Sequence, residues 1–255
     1  CDAADGLADG VVENPKRCRF DAKVLECKGG DSSSCLTPAQ VETVRSLYAP
    51  LKHPATGMQL FPPLLQPGTE LGWQTLAGPQ PYGTAIDAYR YIVFKDPNWD
   101  WRRFNPATDI DLAVKVDGGI VGLANPDLRP FFKRGGKLLM YHGWADPQVP
   151  PENSVKYFTE VVRAVGEPAV GTSIQLYMVP GMGHCRGGAG ADTFDKMAAL
   201  EQWVATGKAP ETIVASRVAD GKVVRTRPLC PFGKVARWNG RNSADEASSF
   251  SCAAE

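Results

Sequence analysis

Residues 135–188 read GGKLLMYHGWADPQVPPENSVKYFTEVVRAVGEPAVGTSIQLYMVPGMGHCRGG. The first part is a short apolar run closed by a glycine turn, which predicts a buried strand over Leu138–Tyr141. The segment from Pro151 then repeats its apolar residues at helical spacing: Val155, Phe158, Val162 and Val165 share one face, and Gly166 ends the helix. A second apolar run, SIQLYMVP, predicts another strand, followed by the glycine-rich loop GMGHCRGG. Beyond it a helix is expected from Asp192, acting as N-cap, to Ala205, with Phe194, Met197, Leu200 and Trp203 or Val204 on its apolar side. Strand, loop and helix repeated in this order indicate a doubly wound α/β sheet. In such a sheet the functional groups sit on loops beyond the carboxyl ends of the strands. Asp146 and His184 both occupy loops of that kind.

That placement suggests chemistry for the imidazole. A carboxylate paired with a histidine fixes its tautomer and stabilises the imidazolium formed when the other ring nitrogen takes a proton from a nucleophile. Aspartate and then histidine, after successive strands, is the chain order of α/β-hydrolases, in which the nucleophilic serine comes earlier. The alternative is that Asp146 caps the helix after Pro150 and that His184 is a loop histidine without a role.

The bulk properties allow this and narrow the partners. With 255 residues and 43% hydrophobic composition, the chain can bury a substantial core. Lys plus Arg and Asp plus Glu number 28 each, so no overall field favours nucleic acid or an anionic membrane. No apolar run approaches the roughly 18–20 residues of a membrane span. The sequence opens at Cys1 without a signal segment, and the expectation is therefore a mature or cut product.

Six of the seven cysteines fall into near neighbours: Cys1 and Cys18, Cys27 and Cys35, Cys230 and Cys252. Closing three such short loops would each remove unfolded-state entropy worth roughly 2.5–3.5 kcal/mol. Disulfides would place the protein in an oxidising compartment, secreted or periplasmic. Spacing alone leaves the connectivity open, and Cys185 is left over.

Upstream of residue 135 the texture differs. Residues 1–36 are turn-rich. A helix is expected from Thr37-Pro38-Ala39-Gln40, where Thr37 caps, Pro38 suits the first turn and Gln40 completes a capping box; Val41, Val44, Leu47 and Tyr48 form its apolar face. From about 50 to 130 the chain is rich in Pro, Gly and aromatic residues with little periodicity, the composition of an irregular, side-chain-packed insertion.

With its flanking cysteine, PGMGHC (180–185) resembles the tannase and feruloyl esterase family of α/β-hydrolases. The resemblance extends to CDAADGLADGVVENP (1–15), YRYIVFKDPNWDWRRFNPATD (89–109), YHGWADPQVPP (141–151) and the terminal cysteine pair. It implies a C-terminal part of an α/β-hydrolase domain over 135–255 and a lid domain over 1–134. It implies a serine carboxylic ester hydrolase working through an acyl-enzyme, with His184 as general base and Asp146 as its orienting carboxylate. The implied substrates are small esters of aromatic acids, of feruloyl or hydroxycinnamoyl, galloyl or terephthaloyl type. Cys185 would be bonded to a cysteine that precedes the catalytic serine. No serine here stands in a G-x-S-x-G or Gly-Cys-Ser context, and Ser32 to Ser34 precede Cys35 in a loop before any sheet strand. The expectation is that both serine and partner cysteine come from an N-terminal part of the same enzyme, and that this chain alone is inactive.

The opening segment has its own reading. Asp2, Asp5 and Asp9, with Gly6 and Gly10 permitting sharp turns, can gather three carboxylates, while the carbonyls of Leu7 and Val11 add oxygens. Hard oxygen donors suit Ca²⁺, although the spacing is not that of an EF-hand. In the family this pattern holds a structural calcium, clamped by a disulfide that maps to Cys1 and Cys18. A solvated acidic turn is the alternative. Two rival functions stay open: a calcium-stabilised extracellular binding module without catalysis, and a metal-dependent hydrolase using His142, Asp146 and His184.

His142 corresponds to a substrate-side position in the family or closes its strand on backbone groups, and His53 is expected at the surface. Trp99 and Trp101 are candidates for an acyl pocket or for the insertion's own small core. Arg90, Arg102 and Arg103 are candidates to meet a substrate carboxylate.

Overall fold

A computed structural model describes residues 1–122 and 125–255. Residues 1–36 form three single turns of 3₁₀-helix, at Asp2–Asp5, Pro15–Arg17 and Ala22–Leu25, and the disulfides Cys1–Cys18 and Cys27–Cys35 close over them. Helix α1 (Pro38–Leu47) opens on the capping box: the Gln40 amide donates to Thr37 Oγ1 at 3.3 Å, and the Thr37 amide donates to Gln40 Oε1 at 2.8 Å. Strands β1 (Pro50–Lys52) and β2 (Gln59–Pro63) pair antiparallel.

His53, in the turn between them, is buried rather than at the surface. Its Nδ1 accepts from the amides of Ala55 and Thr56 at 3.2 and 3.3 Å, so the ring folds back over its own turn. A local side-chain acceptor satisfies the turn, and no surface pattern in the sequence announces it.

Helices α2 (Gly83–Asp87), continued by a π turn, α3 (Asp109–Asp117) and α4 (Arg129–Lys133) are short. The π turn and the segment after it supply an aromatic cluster: Trp99 stacks on Tyr89 and Phe94 with centroids 5.6 and 5.1 Å away, and Phe104 meets Tyr89 edge-on. Arg90 Nε donates to the Trp99 carbonyl at 2.9 Å. Trp99 is buried and belongs to this small core, whereas Trp101 is partly exposed with the Arg102 guanidinium over its ring.

Strand β3 (Leu138–Gly143), helix α5 (Pro151–Val165) and strand β4 (Ile174–Val179) form a β-α-β unit whose strands pair in parallel from Leu138↔Ile174 to Gly143↔Val179. Parallel strands need a crossover, and α5 provides it. Every residue of β4 is buried. Ile174, Leu176 and Met178 pack with Val155, Phe158, Val161 and Val162 of α5, while Tyr177 and Val179, on the opposite face, join Met182. Strand β3 runs two residues beyond Tyr141, because pairing with Met178 and Val179 carries it to Gly143.

Helix α6 (Lys196–Thr206) begins later than expected. Its cap is Asp195, whose Oδ1 accepts from the Ala198 amide at 2.8 Å. Asp192 and Thr193 are held extended instead, their amides donating to the Ser216 carbonyl. Trp203 is buried, but Met197 and Val204 are exposed, so the apolar side is narrower than the sequence suggests. Strands β5 (Ile213–Ala219) and β6 (Lys222–Leu229) form a hairpin turned at Asp220-Gly221, both at positive φ, the conformation a two-residue hairpin loop requires. Strands β7 (Lys234–Trp238) and β8 (Phe250–Ala254) also pair antiparallel, and Cys230–Cys252 ties the middle of β8 to the residue that follows β6. Ile213, Ala215 and Leu229 complete the second side of the core around Tyr177.

Candidate active site

The ends of β3 and β4 lie against each other so closely that their loops are stitched together. The Trp144 amide donates to Val179 O at 2.9 Å and the Ala145 amide to Met182 O at 3.0 Å. A Cβ on Gly143 would stand 2.1 Å from the Met182 carbonyl oxygen, so only glycine fits there. The loop after β4 is folded on itself in the same way. The Gly183 amide donates to Gly187 O at 2.9 Å, and Cβ atoms on Gly188 or Gly190 would collide with the carbonyls of Gly181 or Pro180. These glycines explain the composition of GMGHCRGG: they permit the tight crossing that carries His184 back over the end of β3.

Asp146 stands under that crossing and is 1% exposed. Its Oδ1 accepts from the amides of Gln148 and Val149 at 2.8 and 2.9 Å. Its Oδ2 accepts from His184 Nδ1 at 2.7 Å and from His142 Nε2 at 3.1 Å. Burial raises the carboxyl pKa, but the bonds from His142, Val149, His184 and Gln148 together outweigh it and hold the group down at about 2. Asp146 does not cap α5, whose cap residue Pro150 is joined by no side-chain cap bond; it organises the turn that precedes the helix.

The His184 side chain is 41% exposed, and its Nε2 has no hydrogen-bond partner among the described residues. The ring borders a cavity of about 660 Å³, walled by Thr69, Leu71 and Gly72 from the first half of the chain and by Trp144, Pro147 and Arg217 from the second. Such a volume falls in the range of small-molecule sites. The arrangement can move a proton between Nε2 and a group in the cavity while Asp146 stabilises the resulting imidazolium.

The His142 side chain is 13% exposed. It is not part of the cavity wall, and its Nδ1 is engaged with Ser154 Oγ at 2.7 Å. Cys185, next to His184, is exposed, unpaired among the described residues and at φ 46°. Ser32 and Ser34 bond within the exposed 27–35 loop, away from the cavity.

The opening loop brings together four of its five expected ligands. Asp5, Leu7, Asp9 and Val11 line a small cavity of about 20 Å³, together with Arg225 and Arg227. Asp2 is not in that wall; its Oδ1 accepts from the amides of Asp9 and Gly10 at 3.1 Å. Asp9 Oδ2 accepts from Arg227 Nη2 at 2.5 Å. Among the described residues no three His, Cys, Asp or Glu side chains converge as a metal-holding group, so main-chain oxygens have to complete any cation shell here. The Asp5 and Asp9 carboxylates offer oxygen atoms, the kind a hard cation takes, while Arg225 and Arg227 place two guanidinium groups in the same wall.

Sequence reasoning missed four participants. Ser154 lies in the first turn of α5, and its contact with His142 depends on the packing of that helix on β3. Arg225 and Arg227 alternate along β6 and meet Asp9 across more than 200 residues. Leu71 carries no motif at all.

The model of the family described as tannase and feruloyl esterase matches residues 1–253. The chain belongs to this family. It is 37% identical to an uncharacterised esterase from Xanthomonas campestris pv. campestris, over 99% of this chain and 52% of that protein. It is 33% identical to a probable feruloyl esterase B-2 from Aspergillus terreus, over 99% and 51%. Among solved structures, feruloyl esterase B from Aspergillus oryzae superposes with a TM-score of 0.88 at 30% identity, covering 99% of this chain and 54% of that one. Tannin acyl hydrolase from Aspergillus niger gives 0.74 at 22% identity, covering 100% and 51%, a likeness of fold alone. The chain spans about half the length of the relatives it matches.

Proposed function

We propose that this chain carries the base and the orienting acid of a serine carboxylic ester hydrolase with the α/β-hydrolase fold. The observation that carries the reading is the buried, ionised Asp146 bonded to His184 Nδ1, with Nε2 open to a cavity. The serine comes from residues outside this chain. Nε2 takes its proton as the hydroxyl attacks the ester carbonyl, and Asp146 stabilises the imidazolium. His184 then returns the proton to the departing alcohol, leaving an acyl-enzyme that water opens by the same steps in reverse order. Family membership and the names of the relatives support esters of aromatic acids, feruloyl or hydroxycinnamoyl first and galloyl or terephthaloyl after them.

Residues 1–134 serve as a lid and 135–255 as the C-terminal part of the hydrolase domain, a reading supported by the cavity that both halves wall. Calcium is held by Asp5 and Asp9 with the carbonyls of Leu7 and Val11, and by Asp2 if its free oxygen turns inward; it serves stability and takes no part in the reaction. The three disulfides support secretion or a periplasmic location. A metal-dependent hydrolase built on His142, Asp146 and His184 is disfavoured by geometry, because His142 has both ring nitrogens engaged and both imidazoles turn an N–H to one carboxylate oxygen.

The deciding experiment compares the isolated 255 residues with the full-length protein on feruloyl and p-nitrophenyl esters. Turnover by the full-length protein alone is expected. Robust turnover by the isolated chain would overturn the assignment of the nucleophile to residues outside it.

A further inference from the structure

Asp146 accepts four hydrogen bonds, which use about all the lone-pair positions a carboxylate has. Only the one from His184 belongs to the proposed chemistry. Two come from the amides of its own turn, and the fourth comes from a second imidazole. We propose that His142 and Ser154 form a positioning arm that holds Asp146 aimed at His184, which rests on the ester hydrolase reading above.

Tautomers follow from the bonding. The ionised Asp146 has no proton to give, so His142 Nε2 must carry one. A neutral imidazole protonated at Nε2 is an acceptor at Nδ1, and Ser154 Oγ, 2.7 Å away, is the hydroxyl that donates to it. Asp146 therefore selects the tautomer of His142, and the Ser154 hydroxyl holds the ring in place by donating to the nitrogen left bare. The opposite tautomer would turn a lone pair of Nε2 toward the carboxylate at 3.1 Å and lose the bond.

The arm also anchors the site mechanically. Asp146 and His184 are both on loops, whereas His142 is in β3 and Ser154 in the first turn of α5, the two packed elements of the β-α-β unit. A carboxylate on a loop is fixed to regular structure through His142, and a site supported by rigid elements keeps its geometry better than one on loops alone.

Ser154, His142 and Asp146 share the donor order of a hydrolytic triad, but Ser154 does not border the cavity and the His142 side chain is only 13% exposed. An ester cannot approach Ser154 as it can approach a group beside His184.

The test uses the full-length enzyme, with kcat and KM measured for a feruloyl ester and melting temperature measured alongside. His142→Phe, which keeps a ring but removes the donor, should lower kcat by about 10- to 100-fold with KM within about twofold, the range for a lost hydrogen bond to a charged group. His142→Gln, whose amide can still donate to Asp146, should recover most of that loss. Ser154→Ala should lower kcat about threefold to tenfold and Ser154→Thr should restore it. In wild type, nitrogen NMR should show His142 protonated at Nε2 and accepting at Nδ1, and Ser154→Ala should shift the Nδ1 resonance, which loses its donor; this readout stands even if His142→Phe fails to fold. Unchanged kcat in His142→Phe, or equal losses in the Phe and Gln variants, would overturn the arm. So would a loss in Ser154→Ala as complete as that in His184→Ala, since Ser154 would then be the nucleophile. Failure of the underlying reading is distinct: His184→Ala itself would then leave kcat intact.

Discussion

His184 Nδ1 lies 2.7 Å from Asp146 Oδ2, joining residues 38 positions apart in the chain. The contact exists because β3 and β4 are parallel neighbours in register, so that the loops leaving their carboxyl ends start side by side. The close approach at Gly143 then lets the second loop cross the first.

In the full-length enzyme, His184→Ala should remove nearly all acyl transfer. Asp146→Asn should reduce kcat by about 10⁴-fold by imposing the wrong tautomer on His184. Steady-state kinetics on a feruloyl ester checks both, and a loss below about tenfold for a folded Asp146→Asn would return Asp146 to a purely structural role.

Acid should weaken the fold through Asp146. Its folded pKa of about 2 is depressed below the ordinary value of about 3.9, so its stability contribution is present above about pH 4 and is lost as pH falls through about 2. The stability gap between wild type and Asp146→Asn, from urea unfolding, should therefore shrink by on the order of 2 kcal/mol as pH falls from about 5 toward 2. A gap independent of pH would contradict the depressed value.

Gly143→Ala should be costly despite adding one methyl group. Its Cβ would sit 2.1 Å from the Met182 carbonyl, so the bond from the Ala145 amide to that carbonyl must break or the loop must move. A stability loss of about 1–3 kcal/mol is expected, with kcat falling as His184 shifts. Thermal melts and kinetics on the same sample separate the two effects.

Chelation should lower the melting temperature and added calcium should restore it, by about 2.7 kcal/mol at a free concentration 100 times Kd. Below the melting point, kcat should be little changed. Immediate loss of activity with the fold intact would favour the metal-hydrolase alternative.

Cys185 should be bonded, in the full-length protein, to a cysteine outside these 255 residues. Peptide mapping without reduction should recover the GMGHC peptide linked to a peptide carrying Cys-Ser. A free Cys185 thiol in active enzyme would refute this bond.

Local and periodic features were legible in the sequence. Short continuous apolar runs located β3 and β4, and a 3.6-residue repeat located α5, because burial has to recur at the spacing of the element. Thr37 and Gln40 announced their capping box, since both partners lie within one turn. The three cysteine pairs are near neighbours in the chain, and the order of Asp146 and His184 could be read along successive loops. Tertiary structure decided the rest. Ser216 drew Asp192 and Thr193 into an extended pairing and moved the start of α6 to Asp195, overriding a good local cap. His53 turned inward over its own turn, His142 found Ser154 on a packed helix, and Arg225 and Arg227 reached Asp9 from the far end of the chain. Each of these pairings joins groups whose distance is set by how elements pack. Linear spacing carries no information about that distance until the core that brings the elements together has formed.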